Sequence, residues 1–117
     1  MMTLQETKRR MESDPKHCVV WLMDFVDDFR YHRNPAALSE PFAMNDSKLD
    51  ALLASTAEQL CADMGLDCPG WVLQVPTCLF PWFVAGMESL KAIALVESPL
   101  RFRLRKIFVL ENFLSRV

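Results

Sequence analysis

The chain has 117 residues, 51% of them hydrophobic, and a formal net charge of −2, which is room for one domain with one core and excludes a disordered, highly charged segment. So small a net charge supplies no global attraction to nucleic acid or anionic lipid, and binding to either needs a local patch. Three glycines against eight phenylalanines and seven methionines leave few positions for hairpin turns or phosphate-cradling loops and many large core fillers, which favours helices.

Thr3 and Glu6 have capping-box spacing, and LQETKRRMES is rich in helix formers, so the pattern predicts a first helix from about Leu4 to Glu12. That helix is mostly polar and is expected to be loosely attached over residues 1–13. Asp14 followed by Pro15 predicts an N-cap and first position for a second helix ending near His32. Its Cys18, Trp21, Leu22, Phe25, Val26 and Phe29 recur at three- and four-residue steps, the signature of a core helix. On its other side Asp24, Asp28 and His32 share one stripe, which reads either as a solvated or salt-bridged face or as a metal or acid-base site.

Pro35 and Pro41 punctuate a loop from Asn34 to Asp46, with Phe42 and Met44 expected to pin it to the core. Ser47 with Asp50 opens a third helix whose stripe is Leu49, Leu53, Ala57, Leu60 and Met64, ended by Gly65 with Leu66 beyond it. Pro69 predicts one short helical turn through Trp71 to Leu73, and Pro76 interrupts it. With Pro81 early in its first turn, a fourth helix is expected to run to about Val96, burying Phe83, Met87, Leu90 and Ala94. Ser98-Pro99 stops it and starts a new element. Read as helix, Leu100, Leu104, Ile107 and Phe108 share one face and Arg101 with Arg105 another; read as strand, Arg101, Arg103 and Arg105 alternate with Phe102 and Leu104. The Ser-Pro favours a short helix to about Arg105. An extended Ile107–Val109 follows, then a last turn from Glu111 to Ser115. No pairing strand for the extended segment is evident, so it reads as a docked coil or as an edge for another chain, a second copy included.

Charge divides the chain. Met1 to Arg33 balances; Asn34 to Leu100 sets two lysines against eight carboxylates; Arg101 to Val117 carries five basic residues against Glu111. Either the basic tail packs beside the acidic middle or beside the aspartates of the second helix, or it meets a partner. Cys18, Cys61, Cys68 and Cys78 form no CxxC pair and match no common zinc spacing, and no apolar leader precedes them, so the expectation is a cytoplasmic protein with reduced thiols and no cofactor. Cys68 to Met87 has no charged residue, yet Pro69, Pro76 and Pro81 break any continuous spanning helix, and no membrane insertion is expected.

These readings predict an all-α, single-domain bundle of about four to six helices with a short extended segment near the C-terminus. No GxxxxGK[ST], HExxH or GxSxG is present, so the usual phosphate-loop, zinc-protease and hydrolase routes lack support. Trp71, Leu79, Phe80, Trp82 and Phe83 can close the core, the safer reading, or line a groove; the surface expected to hold a protein partner combines Trp71, Trp82 and Phe83 with Arg101, Arg103 and Arg105, residue types enriched at interfaces. Two alternatives stand beside it: nucleic-acid contact through the basic C-terminal segment, and a metal-dependent enzyme on the Asp24, Asp28 and His32 stripe.

DALLASTAEQL (Asp50–Leu60), PWFVAG (Pro81–Gly86), SLKAIALVESP (Ser89–Pro99) and FRLRKIFVLENFLSRV (Phe102–Val117), with WLMDFVDDFR upstream, resemble a little-characterised bacterial family. The resemblance covers the chain from about Trp21 onward. In many relatives this region follows an N-terminal helix-turn-helix domain of the repressor type, in toxin-antitoxin-like operon settings. The resemblance implies an accessory, regulatory half without the DNA reader, working by binding a protein, and it carries over no catalytic residue. Such relatives usually have a glycine where this chain has Lys106, a departure that bears on a tight turn before Ile107.

Overall fold

Thr3 opens helix α1 (Leu4–Ser13) by accepting the Glu6 N–H on its hydroxyl at 3.1 Å, as the capping-box spacing predicts. The structure, a computed structural model, describes residues 1–45, 47–78, 80–84, 93–95, 97–109 and 113–114. α1 lies against the rest of the fold along one face. Leu4, Thr7, Lys8 and Met11 share its inward face and are buried, and the Met2 N–H donates to Asp28 Oδ2 at 2.8 Å, fastening the N-terminus to the second helix.

Lys8 is the unexpected core residue. It is 2% exposed, its ammonium pairs with Asp50 at 2.6 Å, donates to Asn45 Oδ1 at 2.7 Å and to the Ala43 carbonyl, and lies 5.0 Å from the Phe42 ring centroid. The long aliphatic stem fills core volume while the head finds a carboxylate and two oxygens, the condition under which a buried charge is tolerated.

Asp14 caps no helix with its side chain. It ends α1, and its carboxylate accepts the Trp21 indole N–H at 3.2 Å and meets His17 Nδ1 at 3.1 Å. Pro15–His17 is a single 3-10 turn that feeds α2 (Cys18–His32), whose Leu22, Phe25, Val26 and Phe29 are buried as their spacing predicts. Arg33 closes α2 in the left-handed region at φ 52°, with its N–H on Phe29 O at 2.7 Å. The loop beyond it contains a 3-10 turn, Pro35–Leu38, capped by Asn34; Phe42 is buried whereas Met44 is exposed.

Helix α3 (Ser47–Met64) is the central element, with every described side chain from Asp50 to Ala57 buried. Gly65, at φ +68°, ends it as predicted, and the Leu66 N–H reaches back to Cys61 O at 2.8 Å. A 3-10 turn, Gly70–Gln74, follows Pro69. The charge-free stretch is thus broken early, and among the described residues no helix is long and apolar enough to cross a membrane.

The expected start of a fourth helix at Pro81 is corrected. Trp82–Phe83 forms strand β1, paired in parallel with β2 (Ile107–Phe108) in the register Trp82↔Ile107 and Phe83↔Phe108. β1 is the pairing strand that the sequence did not disclose. The crossover between two parallel strands needs a helical excursion; here it contains helical residues 93–95 and 97, then α4 (Leu100–Arg103). The interior of the expected fourth helix, residues 85–92, lies outside the described residues, as do residues 111, 112 and 115 of the expected last turn. Ser98 ties the excursion to the sheet: its hydroxyl donates to Ile107 O at 3.1 Å and accepts the Val109 N–H at 3.3 Å.

Lys106 makes the tight turn into β2 at φ 62°, with its N–H on Arg103 O at 2.9 Å. A left-handed conformation costs a side-chain-bearing residue roughly 1–2 kcal/mol, and glycine's larger unfolded-state freedom returns part of any gain. Lys106→Gly is therefore expected to stabilise the fold by about 0.5–1 kcal/mol and raise Tm by about 2–4 °C; a lower Tm in a thermal melt contradicts this account of the turn.

One apolar cluster runs from Leu4 to Leu114 and includes residues of α1 to α4, β2 and both proline-led 3-10 turns at Pro35–Leu38 and Gly70–Gln74. The fold is mostly helical, with a two-stranded parallel sheet as its only strand pairing among the described residues.

Candidate functional site

The six residues expected to meet a partner do not lie together. Trp71 is half-buried; its indole N–H donates to Leu38 O at 2.9 Å and its ring stands edge-on to Phe42 at 5.2 Å, so it closes the core over the Pro35–Leu38 turn. Phe83, also half-buried, stacks on Phe108 at 5.0 Å across the β1–β2 pair. Trp82 lines a cleft of about 300 Å³ with Met11, Glu12, Cys18, Lys48 and Leu49, the Lys48 ammonium 5.8 Å from its ring centroid.

The three arginines have three fates. Arg103 is exposed and Arg101 half-buried, but Arg105 is only 7% exposed. Its guanidinium donates to Glu58 Oε1 at 2.6 Å, Val72 O at 3.0 Å, and Val75 O and Ser55 Oγ at 3.4 Å each. Its own carbonyl accepts the Cys78 N–H at 3.0 Å. A planar fork of five donors suits this task, because one side chain satisfies acceptors on α3 and on the 3-10 turn at once. Arg105 therefore belongs to the interior, where it joins the basic tail to the acidic middle.

What α4 presents outward is different from the sequence expectation. Leu100, Leu104, Ile107 and Phe108 do not share a face: α4 ends at Arg103 and the chain turns at Lys106, so Phe102 and Ile107 face the core while Leu100 and Leu104 are 58% and 65% exposed. These two leucines stand one turn apart, Leu104 N–H on Leu100 O at 2.9 Å. Phe80, 77% exposed, lies between Cys78 and Trp82, whose N–H groups bond Arg105 O and Lys106 O, which places it beside the same turn. Leu73, 68% exposed, lines a shallow cleft with Arg101. The result is an edge of exposed apolar side chains interleaved with Arg101, Arg103 and Lys106. A helix of a single turn cannot bury an i, i+4 pair and its opposite face together, and the Pro99 start was the sequence signal for a short helix.

The Asp24, Asp28 and His32 stripe has a structural use. Asp28 Oδ2 holds the Met2 N–H, and His32 Nδ1 lies 3.0 Å from Asp28 O and 3.4 Å from Asp28 Oδ1. Among the described residues no group of three or more His, Cys, Asp or Glu is placed to hold a metal ion.

No family model, curated protein or solved structure matches the chain.

Proposed function

We propose that this chain is a non-enzymatic protein-interaction module, regulatory in the manner of the toxin-antitoxin-like proteins it resembles, and that it holds a protein partner on the α4 edge. The observation that carries the reading is the exposure of Leu100, Leu104, Phe80 and Leu73 around Arg101, Arg103 and Lys106. Contiguous exposed apolar side chains rimmed by charge mark interaction surfaces, and arginine is enriched in them. A nucleic-acid surface is served less well, since leucines offer phosphates nothing and Arg105, neutralised by Glu58, is removed from the basic patch.

The test separates the edge from the fold. Leu104→Glu and the pair Arg101→Glu/Arg103→Glu alter outward groups and are expected to leave the far-ultraviolet spectrum and Tm within about 2 °C of wild type. Each is expected to lower partner capture at least tenfold, the effect of losing about 1.4 kcal/mol at a hot spot. Capture unchanged by both variants contradicts the assignment of the edge, and captured nucleic acid released by moderate salt favours the phosphate-binding reading instead.

A further inference from the structure

We propose that Cys61 and Cys68 form a dithiol modification site, which a hydroperoxide closes to an intramolecular disulfide that staples the end of α3 to the segment leading into the Gly70–Gln74 turn. Both cysteines are free, and both line the same shallow cleft beside Glu58, Leu66, Leu73 and Arg101. The left-handed Gly65 and the Leu66-to-Cys61 bond fold the chain back at the helix end, which brings a residue seven positions later against the last turns of α3. Neither thiol is a zinc ligand in a larger cluster among the described residues. The other two cysteines are placed elsewhere: Cys18 in the Trp82 cleft, and Cys78 buried beside the Arg105 carbonyl.

The chemistry runs through the more accessible sulfur. Cys61 is 2% exposed, whereas Cys68 is half-buried and faces the cleft. The Cys68 thiolate attacks one oxygen of the hydroperoxide, the O–O bond breaks, and water or an alcohol leaves with the thiol proton, giving a sulfenic acid. Cys61 Sγ then attacks that sulfur; the S–S bond forms, the S–O bond breaks, and the hydroxyl leaves as water with the Cys61 proton. Two electrons pass from the two thiols to the peroxide.

Burial pushes both thiols up, Cys68 to about 12, with the charges of Glu58 and of the neighbouring sulfur adding to the Cys68 shift and Arg105 opposing it; Glu58 and Asp67 raise Cys61. The thiolate is scarce at neutral pH, so closure is slow and quickens about tenfold per pH unit as the solution becomes more alkaline. A buried disulfide carries no charge, so the burial that disfavours the thiolate does not oppose the product.

The whole chain is treated with hydrogen peroxide at pH 7 and pH 8.5, blocked with an alkylating reagent after denaturation, and mapped by peptide mass without reduction. The expected result is a Cys61–Cys68 linked peptide lacking two hydrogens, formed at least tenfold faster at pH 8.5, with Cys18 and Cys78 still alkylated. Cys61→Ser is expected to give no link and to leave Cys68 as a sulfenic acid trapped by dimedone. Cys68→Ser is expected to give no link either, so the assignment remains testable if one variant fails to fold. A link to Cys18 or Cys78, a link between chains, sulfinic acid at wild-type Cys68 without a link, or four alkylated thiols at pH 8.5 overturns the proposal.

Discussion

Arg105→Met lowers the stability of the fold by about 3–5 kcal/mol, because it leaves Glu58, only 13% exposed, without its cation and strips donors from Val72 O and Val75 O. Against a typical domain stability of about 5–15 kcal/mol this is a large fraction of the whole. Urea denaturation is expected to show a lower midpoint with an unchanged slope, the mark of lost stability without a change in the surface exposed on unfolding. Arg105→Lys recovers less than half of the loss. A lysine head is a single point of charge and cannot meet acceptors on α3 and on the Gly70–Gln74 turn from one plane. A methionine variant within 1 kcal/mol of wild type would mean that this fork does not hold the turn to α3.

The second large effect lies nearer the start of α3. Lys8→Met is expected to cost about 3–5 kcal/mol, since Asp50 is 2% exposed and loses the cation at 2.6 Å. The partner substitution decides whether the cost comes from the charge or from the volume. In Lys8→Met/Asp50→Leu both charges leave a site that two apolar side chains of similar size can fill, and the double variant is expected to return to within about 1 kcal/mol of wild type. Additive losses in the double-mutant cycle would show instead that Lys8 and Asp50 act independently.

These two residues also mark where the sequence stops being legible. The Thr3 cap, the three- and four-residue spacing of α2, the start of α3 and its Gly65 stop are local signals, and each is met in the fold. Lys8 turns inward because of acceptors 35 to 42 positions away, at Ala43, Asn45 and Asp50, which no window around α1 contains. Trp82–Phe83 follows a proline that equally well begins a helix, and becomes a strand because Ile107–Phe108 arrives beside it from 25 residues later. Strand pairing is decided by such distant partners more than by intrinsic preference. Lys106 adopts a left-handed backbone that a glycine would reach at no steric cost, and no local pattern marks it.

The surface proposed here for a partner differs from the one the sequence suggested. Aromatic and arginine content drew attention to Trp71 through Lys106, and burial distributes the roles: Trp71 and Arg105 hold the fold together, while Leu100 and Leu104 face outward. Helical periodicity presumes that a helix continues; α4 ends after one turn, so its apolar pair is left facing solvent.

The most direct test of the α4 edge places a photoreactive benzoylphenylalanine at Leu104 and, as a control, at Tyr31, which is 84% exposed on α2. After irradiation in the native host cell, the proposed function predicts one defined protein adduct from position 104, absent from position 31 and lost when Arg101→Glu/Arg103→Glu is added. The same adducts from both positions, or none from position 104, would contradict it.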